Sequence, residues 1–311
     1  MSEREIVCAE LGPALDDLRG EGFRVDLIYP ADEPHTAVLT KAGESVRLTS
    51  RPGAPPPGGP FPPFAPEFIL TRSGASPANG RAGMLYRDLI PSRLGGRYIA
   101  SHIAIPDGGP VADWVHFHRI ALQLIYVRRG WVRVVYEGQD EPFVMEPGDF
   151  VLQPPEIRHR VLESSRGLEV VEITAPAVHA TYADHAMELP NGVTQARGLG
   201  SQRFLLHSAS KTPWTSFGGG EAQETALSDA TDGLAELRTI RPIGSGPIEF
   251  GAHDGELVFG FVLDGSAELE FGGTQQLSPT DSFVIPPGEH WRIANPSADF
   301  RLLHITTKRL D

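Results

Sequence analysis

The feature that most constrains the fold is an internal repeat in the second part of the chain. The segment QLIYVRRGWVRVVYEG is echoed by VFGFVLDGSAELEFGG, which aligns Gly130 with Gly265. A second pair, PGDFVLQPPEIRHRVLE and PTDSFVIPPGEHWRIAN, aligns Pro154 with Pro286, and LEVVEITAP is echoed by FRLLHITTK. The offsets cluster at about 132–135 residues, so the sequence predicts a duplicated domain with small insertions.

Each repeat consists of short segments rich in β-branched and aromatic residues, separated by Gly, Pro or Asp. The chain contains 34 Gly and 28 Pro, and it shows few long helical patterns. Short strands at this spacing are typical of an antiparallel barrel or sandwich. Residues 3–20 are a candidate for a short helix, and Pro13 favours a helix that begins there.

The composition is that of a soluble globular protein, with 40% hydrophobic and 22% charged residues. At 311 residues the chain fits about two domains of ordinary size. The net charge of −13 disfavours nucleic acid and membrane surfaces as partners. No apolar run approaches the roughly 20 residues that span a bilayer. The N-terminus lacks the apolar core of a signal peptide, and Cys8 is the only cysteine, so we expect a cytoplasmic protein without intrachain disulfides.

The repeat and the composition together predict three regions. Residues 1–85 are an N-terminal extension that contains a proline-rich, extended connector at 51–66. Residues 86–190 form the first repeated domain, and residues 191–311 form the second.

Two histidines stand one residue apart in VHFHRIALQLIYVRRG. Alternate side chains of a strand face the same way, so His116 and His118 share a face. His159 follows the Pro154–Pro155 corner and is expected on a neighbouring strand. Three neutral imidazoles that converge on one point suit Zn, Fe, Ni or Cu. The alternative is a set of buried or surface histidines without an ion.

The spacing of these histidines resembles the first motif of the cupin superfamily, whose members fold as jelly-roll β-barrels. That motif, G-x5-H-x-H-x3–4-E-x6-G, matches His116, His118 and Gly130. Gln123 replaces the glutamate, and Gly109 lies one residue too far upstream to be the leading glycine.

The second cupin motif, G-x5-P-x-G-x2-H-x3-N, matches Gly148, Pro154 and His159. Glu156 and Glu163 stand at its glycine and asparagine positions, so two identities differ while the spacing is kept. The resemblance implies an all-β fold with two tandem double-stranded β-helix (jelly-roll cupin) barrels behind the N-terminal extension.

In the second copy, the three histidine positions carry Gly251, His253 and Trp291. His290 lies one residue from the third position, and a shift of one residue turns a strand side chain to the other face. One matching histidine cannot hold a metal. We therefore expect a degenerate, structural barrel in which Trp291 fills the space of the ion.

The resemblance implies that His116, His118 and His159 bind a divalent transition metal, with Fe(II) favoured and Zn or Ni as alternatives. Gln123 is the candidate for a catalytic role. An amide takes no proton at neutral pH and ligates only weakly through its carbonyl oxygen. Gln123 is therefore either a weak ligand or a hydrogen-bond partner of a bound water or substrate oxygen.

Side chains on strands that flank the motifs are weaker candidates for substrate contacts: Tyr98, His102 and Arg133. Arg133 would suit a substrate carboxylate. The alternative for these three residues is the outside of the barrel. A further group follows the last strand of the first barrel and is expected to cap it rather than to act in chemistry: His179, Tyr182 and His185.

Three functions stay open. The three-histidine set resembles that of cupin dioxygenases, which favours an Fe(II) enzyme that uses O2 on a small anionic or chelating organic substrate. A Zn or Ni centre in the same place would suit a non-redox isomerase, cyclase or lyase. The third function is binding of a small molecule without catalysis. The sequence does not decide whether the chain forms a homo-oligomer.

Overall fold

The computed structural model describes residues 3–53, 57–74, 77–79, 83–193 and 201–310 of the chain. The fold is all-β, as predicted, and consists of two tandem barrels behind an N-terminal extension. Each barrel is built from two sheets.

The secondary structure of the described residues follows the three predicted regions. The extension and its connector contain β1 (Glu3–Val7), α1 (Leu11–Gly20), β2 (Arg24–Tyr29), β3 (Thr36–Lys41), β4 (Glu44–Thr49), β5 (Ile69–Thr71) and β6 (Ala78–Asn79). The next elements are β7 (Leu85–Asp88), a 3-10 turn (Arg93–Gly96), β8 (Ile99–Ile105), β9 (Gly109–Pro110), β10 (His116–His118), β11 (Leu122–Arg129), β12 (Val132–Tyr136), β13 (Phe143–Met145), β14 (Phe150–Leu152), β15 (His159–Ser164), β16 (Leu168–Ala175) and β17 (Thr181–Ala183).

The remaining elements belong mainly to the second barrel. They are β18 (Leu205–His207), a 3-10 turn (Ala209–Lys211), β19 (Thr215–Phe217), β20 (Gly220–Glu224), α2 (Leu227–Ala230), β21 (Ala235–Pro242), β22 (Ile248–Phe250), β23 (Leu257–Asp264), β24 (Ala267–Glu270), β25 (Thr274–Leu277), β26 (Ser282–Val284), β27 (Trp291–Ala294) and β28 (Arg301–Thr307).

The extension lengthens one sheet of the first barrel. That sheet has the order β13-β12-β15-β10-β17-β2-β3-β4-β1, with β9 paired on β15. Residues 3–7 form a strand rather than part of a helix, and β1 pairs in parallel with β4. Helix α1 begins at Leu11 and carries Pro13 in its first turn, where a missing N–H breaks no helical hydrogen bond.

Two further sheets lie back to back between the barrels. They have the orders β18-β14-β11-β16-β8-β7-β6 in the first barrel and β19-β20-β21-β28-β23-β26-β5 in the second. The second barrel closes with the sheet β22-β27-β24-β25. The outer faces of the two central sheets form one apolar core, to which β11 contributes Leu122 and Leu124 and β23 contributes Phe259 and Phe261. The barrels therefore share their largest hydrophobic cluster.

Strand pairing crosses between the regions in two places. Strand β5, which precedes the first barrel, pairs with β26 of the second. Strand β18, which follows residue 191, pairs with β14 of the first barrel. The domain division at residues 86–190 and 191–311 stays a prediction. In the connector predicted at 51–66, residues 57–68 form neither helix nor strand, and residues 54–56 lie outside the described residues.

Candidate metal centre

The fold brings the three motif histidines together. His116 and His118 lie on β10 and point to the same side, and His159 is the first residue of the neighbouring strand β15, directly opposite His116. One side-chain nitrogen of each residue lies within 4.8 Å of those of the other two, and all three side chains are buried. The ring centroids of His116 and His159 are 4.2 Å apart. This geometry fits a single ion, since each ligand nitrogen would lie about 2 Å from the metal.

Backbone carbonyls fix the orientation of each imidazole. The Nδ1 atoms donate to the carbonyl oxygens of Trp114, Ala180 and Ile157, at 2.8, 3.1 and 3.0 Å for His116, His118 and His159, respectively. A proton held on Nδ1 leaves the lone pair on Nε2, which is the atom that a metal would bind. The histidines thus have the tautomer and the orientation of metal ligands.

A carboxylate that the sequence analysis missed stands beside Gln123. The Gln123 amide nitrogen donates to Glu172 Oε1 at 2.9 Å, and the Thr174 hydroxyl donates to the same oxygen at 3.1 Å. Gln123 and Glu172 both line the cavity onto which the histidines open. Because the amide nitrogen is committed to Glu172, the carbonyl oxygen of Gln123 is the atom left for a metal or substrate. The role of Gln123 stays a prediction.

His179 and Gln153 also line this cavity and were not among the predicted site residues. The His179 ring is buried, its centroid lies 5.2 Å from that of His118, and burial lowers its pKa. The expectation that His179 only caps the barrel is therefore wrong. By contrast, Tyr182 stacks on Phe117 at the edge of the barrel. His185 is half-exposed and lies 2.8 Å from the Val25 carbonyl oxygen.

The cavity encloses about 110 Å³ inside the first barrel. Its end near the histidines is polar, and Tyr136 there stacks on His159 with ring centroids 5.5 Å apart. Burial raises the pKa of the Tyr136 hydroxyl. Aliphatic side chains cover the other end, among them Ile103, Ile125 and Val170. The site therefore combines a polar end with a dry, apolar end.

Tyr98, His102 and Arg133 do not line the cavity, and the prediction that they do is wrong. On β8 the odd-numbered residues face inward, so His102 points to the second barrel, where its Nε2 lies 3.0 Å from Glu169. Tyr98, just before this strand, is fully buried between the barrels, and its hydroxyl lies 2.7 Å from that of Thr307. Arg133 points outward from β12 and pairs with Glu163 at 3.4 Å.

The second barrel has no equivalent cluster among the residues that the structure describes. Trp291 takes the place of the third histidine, as predicted from the repeat, and it is buried against Phe250 with the rings stacked 3.7 Å apart. His304 stands at the position of Glu172 in the repeat, and burial lowers its pKa to about 3. A neutral, deeply buried histidine beside stacked aromatic rings is consistent with a structural interior.

Comparison with known proteins agrees with this geometry. Residues 237–306, in the second barrel, match the family described as Cupin domain. An oxalate decarboxylase from Lactobacillus farciminis, in complex with formate, superimposes with a TM-score of 0.58 at 11% identity, covering 82% of this chain and 88% of that one. The chain belongs to the cupin superfamily. The family match falls on the degenerate barrel, whereas the histidine cluster of this cupin lies in the other.

Two other solved structures have the same two-barrel architecture. A Pseudomonas aeruginosa structure named as a glyoxylate-induced protein has a TM-score of 0.56 at 12% identity, covering 83% of this cupin and 96% of that chain. Oxalate decarboxylase from Bacillus subtilis has a TM-score of 0.56 at 11% identity, covering 81% and 78%. At these identities the likeness shows the fold alone. None of the curated protein sequences matches the chain, and no helix among the described residues could span a membrane.

Proposed function

We propose that this cupin is an enzyme whose first barrel holds a divalent transition metal on His116, His118 and His159. The observation that carries the proposal is the orientation of the three buried rings. Each Nδ1 atom donates to a backbone carbonyl, so three Nε2 lone pairs are directed by the fold rather than by one another. Buried histidines without a ligand have no need of such an arrangement, because one hydrogen bond to each ring would be as well satisfied on any face.

The favoured chemistry is that of an Fe(II) dioxygenase acting on a small chelating organic substrate with O2. When bound, Fe(II) would supply the redox chemistry between O2 and the substrate. The chain itself supplies three neutral ligands, an apolar cavity that keeps water out, and the Gln123–Glu172 pair at its polar end. Three protein ligands leave open coordination positions for a substrate that chelates through two oxygens.

Glu172 supports a second candidate function, a Zn- or Ni-dependent isomerase, cyclase or lyase. Its carboxylate lines the cavity and is oriented by hydrogen bonds from Gln123 and Thr174. A carboxylate held in this way can accept a proton from a substrate whose carbonyl is polarised by a metal.

The two candidates differ in their need for O2 and for Glu172. The test is to prepare tag-free protein without metal, load it anaerobically with Fe(II), Zn or Ni, and measure O2 uptake with diketones and hydroxylated aromatic acids. For a dioxygenase, uptake requires Fe(II), and Glu172→Gln keeps a substantial part of it. For the non-redox enzyme, turnover proceeds without O2, and Glu172→Gln abolishes it. Metal binding without turnover of any of these compounds would favour a non-enzymatic binding role.

A further inference from the structure

Gln153 is a buried polar side chain that the fold leaves without hydrogen bonds. It is 1% exposed, it lines the cavity of the first barrel, and both its amide nitrogen and its amide oxygen lack a partner among the described residues. An amide has two donors and an acceptor, and burying them unpaired is unfavourable. Such a group in a binding cavity indicates a ligand that pairs with it.

The second barrel shows that the fold does not require a glutamine here. The repeat aligns Gln153 with Ile285, which is fully buried. The backbone is the same at both positions: Gln153 N donates to the Gln123 carbonyl oxygen at 3.0 Å, and Ile285 N donates to that of Val258 at 3.0 Å. An aliphatic residue satisfies this position in the barrel without the histidine cluster. The polar side chain in the first barrel therefore serves the cavity and not the fold.

His179 adds a second group of this kind. It is 5% exposed, lines the same cavity, and has no counterpart in the repeat. Neither ring nitrogen reaches hydrogen-bond geometry with another described residue, although the carbonyls of Pro176 and Ala177 lie nearby. A neutral imidazole offers one donor and one acceptor.

The charge of the cavity limits what can bind. Glu172 and Asp32 line it, and none of its described lining residues is Lys or Arg. A negative charge on a ligand would therefore have to be neutralised by the metal, and a second carboxylate would lie unpaired beside acidic groups. The aliphatic end, with Ile103, Ile125 and Val170, favours an apolar group at the other side of the ligand.

We propose that the cavity takes a chelating molecule with one negative charge, an apolar body and a neutral hydroxyl or carbonyl group that pairs with Gln153 and His179. The proposal rests on the proposed function, since the metal supplies the site for the chelating atoms. The cavity of about 110 Å³ has room for roughly ten non-hydrogen atoms. A small dicarboxylate such as oxalate lacks the apolar body and carries one charge too many. The specificity thus differs from the activity named for the structurally similar oxalate decarboxylases.

The test is isothermal titration of Zn-loaded protein with two chelators, a methyl-substituted hydroxypyrone (maltol) and oxalate. Zn keeps the measurement free of redox chemistry. We expect maltol to bind more tightly than oxalate by tenfold or more. Gln153→Leu should keep the metal and weaken maltol binding by roughly tenfold, because a polar group of the ligand is left unpaired. His179→Leu should weaken it to a similar extent.

Gln223 provides a matched control, because its buried amide donates to the carbonyls of Ala209 and Thr212 at 2.8 and 2.7 Å. Gln223→Leu should lower the melting temperature and leave maltol affinity unchanged. Gln153→Leu should leave the melting temperature unchanged or raise it. Equal maltol affinity in wild type, Gln153→Leu and His179→Leu would overturn the inference but not the proposed function, as would oxalate binding at least as tightly as maltol. Failure of the wild type to bind Zn would overturn both.

Discussion

A buried ion pair joins the two barrels and gives a prediction of large magnitude. Arg97 precedes β8 in the first barrel, and Glu256 precedes β23 in the second; both side chains are 7% exposed. Arg97 Nε lies 3.2 Å from Glu256 Oε2, Nη2 lies 2.5 Å from Oε1, and the Tyr98 hydroxyl donates to Oε2 at 3.1 Å. The pair is bidentate and almost dry.

Glu256→Gln removes the counter-charge and leaves the Arg97 guanidinium buried. Leaving one charge of a buried pair uncompensated typically costs about 3–5 kcal/mol. Arg97 also donates to the carbonyl oxygens of Pro62 and Leu310, which favours the lower end of that range. With a urea slope of about 2–3 kcal/mol per molar, the unfolding midpoint should fall by roughly 1 M. Equilibrium urea unfolding followed by tryptophan fluorescence measures this midpoint.

A surface pair of similar geometry serves as the control. Arg292 Nη2 lies 2.6 Å from Glu270 Oε2, but these side chains are 45% and 32% exposed, so Glu270→Gln should leave the midpoint nearly unchanged. The double variant Arg97→Met/Glu256→Leu should recover most of the loss, because no lone charge remains buried. Equal midpoints for Glu256→Gln and Glu270→Gln, or a double variant that is less stable than Glu256→Gln, would refute this reasoning.

Two further predictions concern the interior of the second barrel. Burial lowers the pKa of His304 from 6.5 to about 3; the unfolded chain therefore takes up a proton first, and stability falls as the pH drops below 6.5 towards 3. Between about pH 7.5 and 5.5, urea unfolding should show a loss in the wild type that exceeds the loss in His304→Leu by about 1.4 kcal/mol, and parallel pH profiles would contradict it. Gly260→Ala should destabilise the protein by about 1–3 kcal/mol in the same assay, because a Cβ there would lie 2.2 Å from Phe283 Cζ. Gly251→Ala, with no heavy atom within 4 Å of its Cβ, is the control, and an equal loss in both variants would argue against close packing at Gly260.

The repeat predicted the fold because strand periodicity and turn residues occur twice in the same order. It also predicted the loss of the second histidine cluster, since Trp291 stands where His159 does in the first copy. The strand pairing of β5 with β26 could not be predicted, because it joins segments that are distant in sequence and have no motif in common.

The site was only partly predictable, for reasons that differ between residues. The motif spacing identified the three histidines. His102 was placed on the wrong face because β8 is covered by the cavity on one side and by the second barrel on the other, so its sequence does not alternate between apolar and polar residues. Arg133 was the avoidable error, since its flanking residues Val132 and Val134 already indicate that it points outward.

Three polar residues of the cavity lie outside the cupin motifs. Glu172 could have been found, since a glutamate within the apolar strand LEVVEITAP occupies the face of Val170 and Thr174. Gln153 could have been suspected from its alignment with Ile285. His179 follows the strand and carries no signal in the sequence. It reaches the cavity through the fold of the chain after β16.

The central claim is that one metal binds to the three histidines of the first barrel. The measurement is the metal content of tag-free protein after anaerobic loading with Fe(II) or Zn and removal of free ions, for wild type, His118→Ala and His253→Ala. His253 is the repeat counterpart of His118 and serves as the matched control. We predict one metal per chain in the wild type and in His253→Ala, and loss of that metal in His118→Ala. Full metal content in His118→Ala, or a wild type that binds none, would contradict the account.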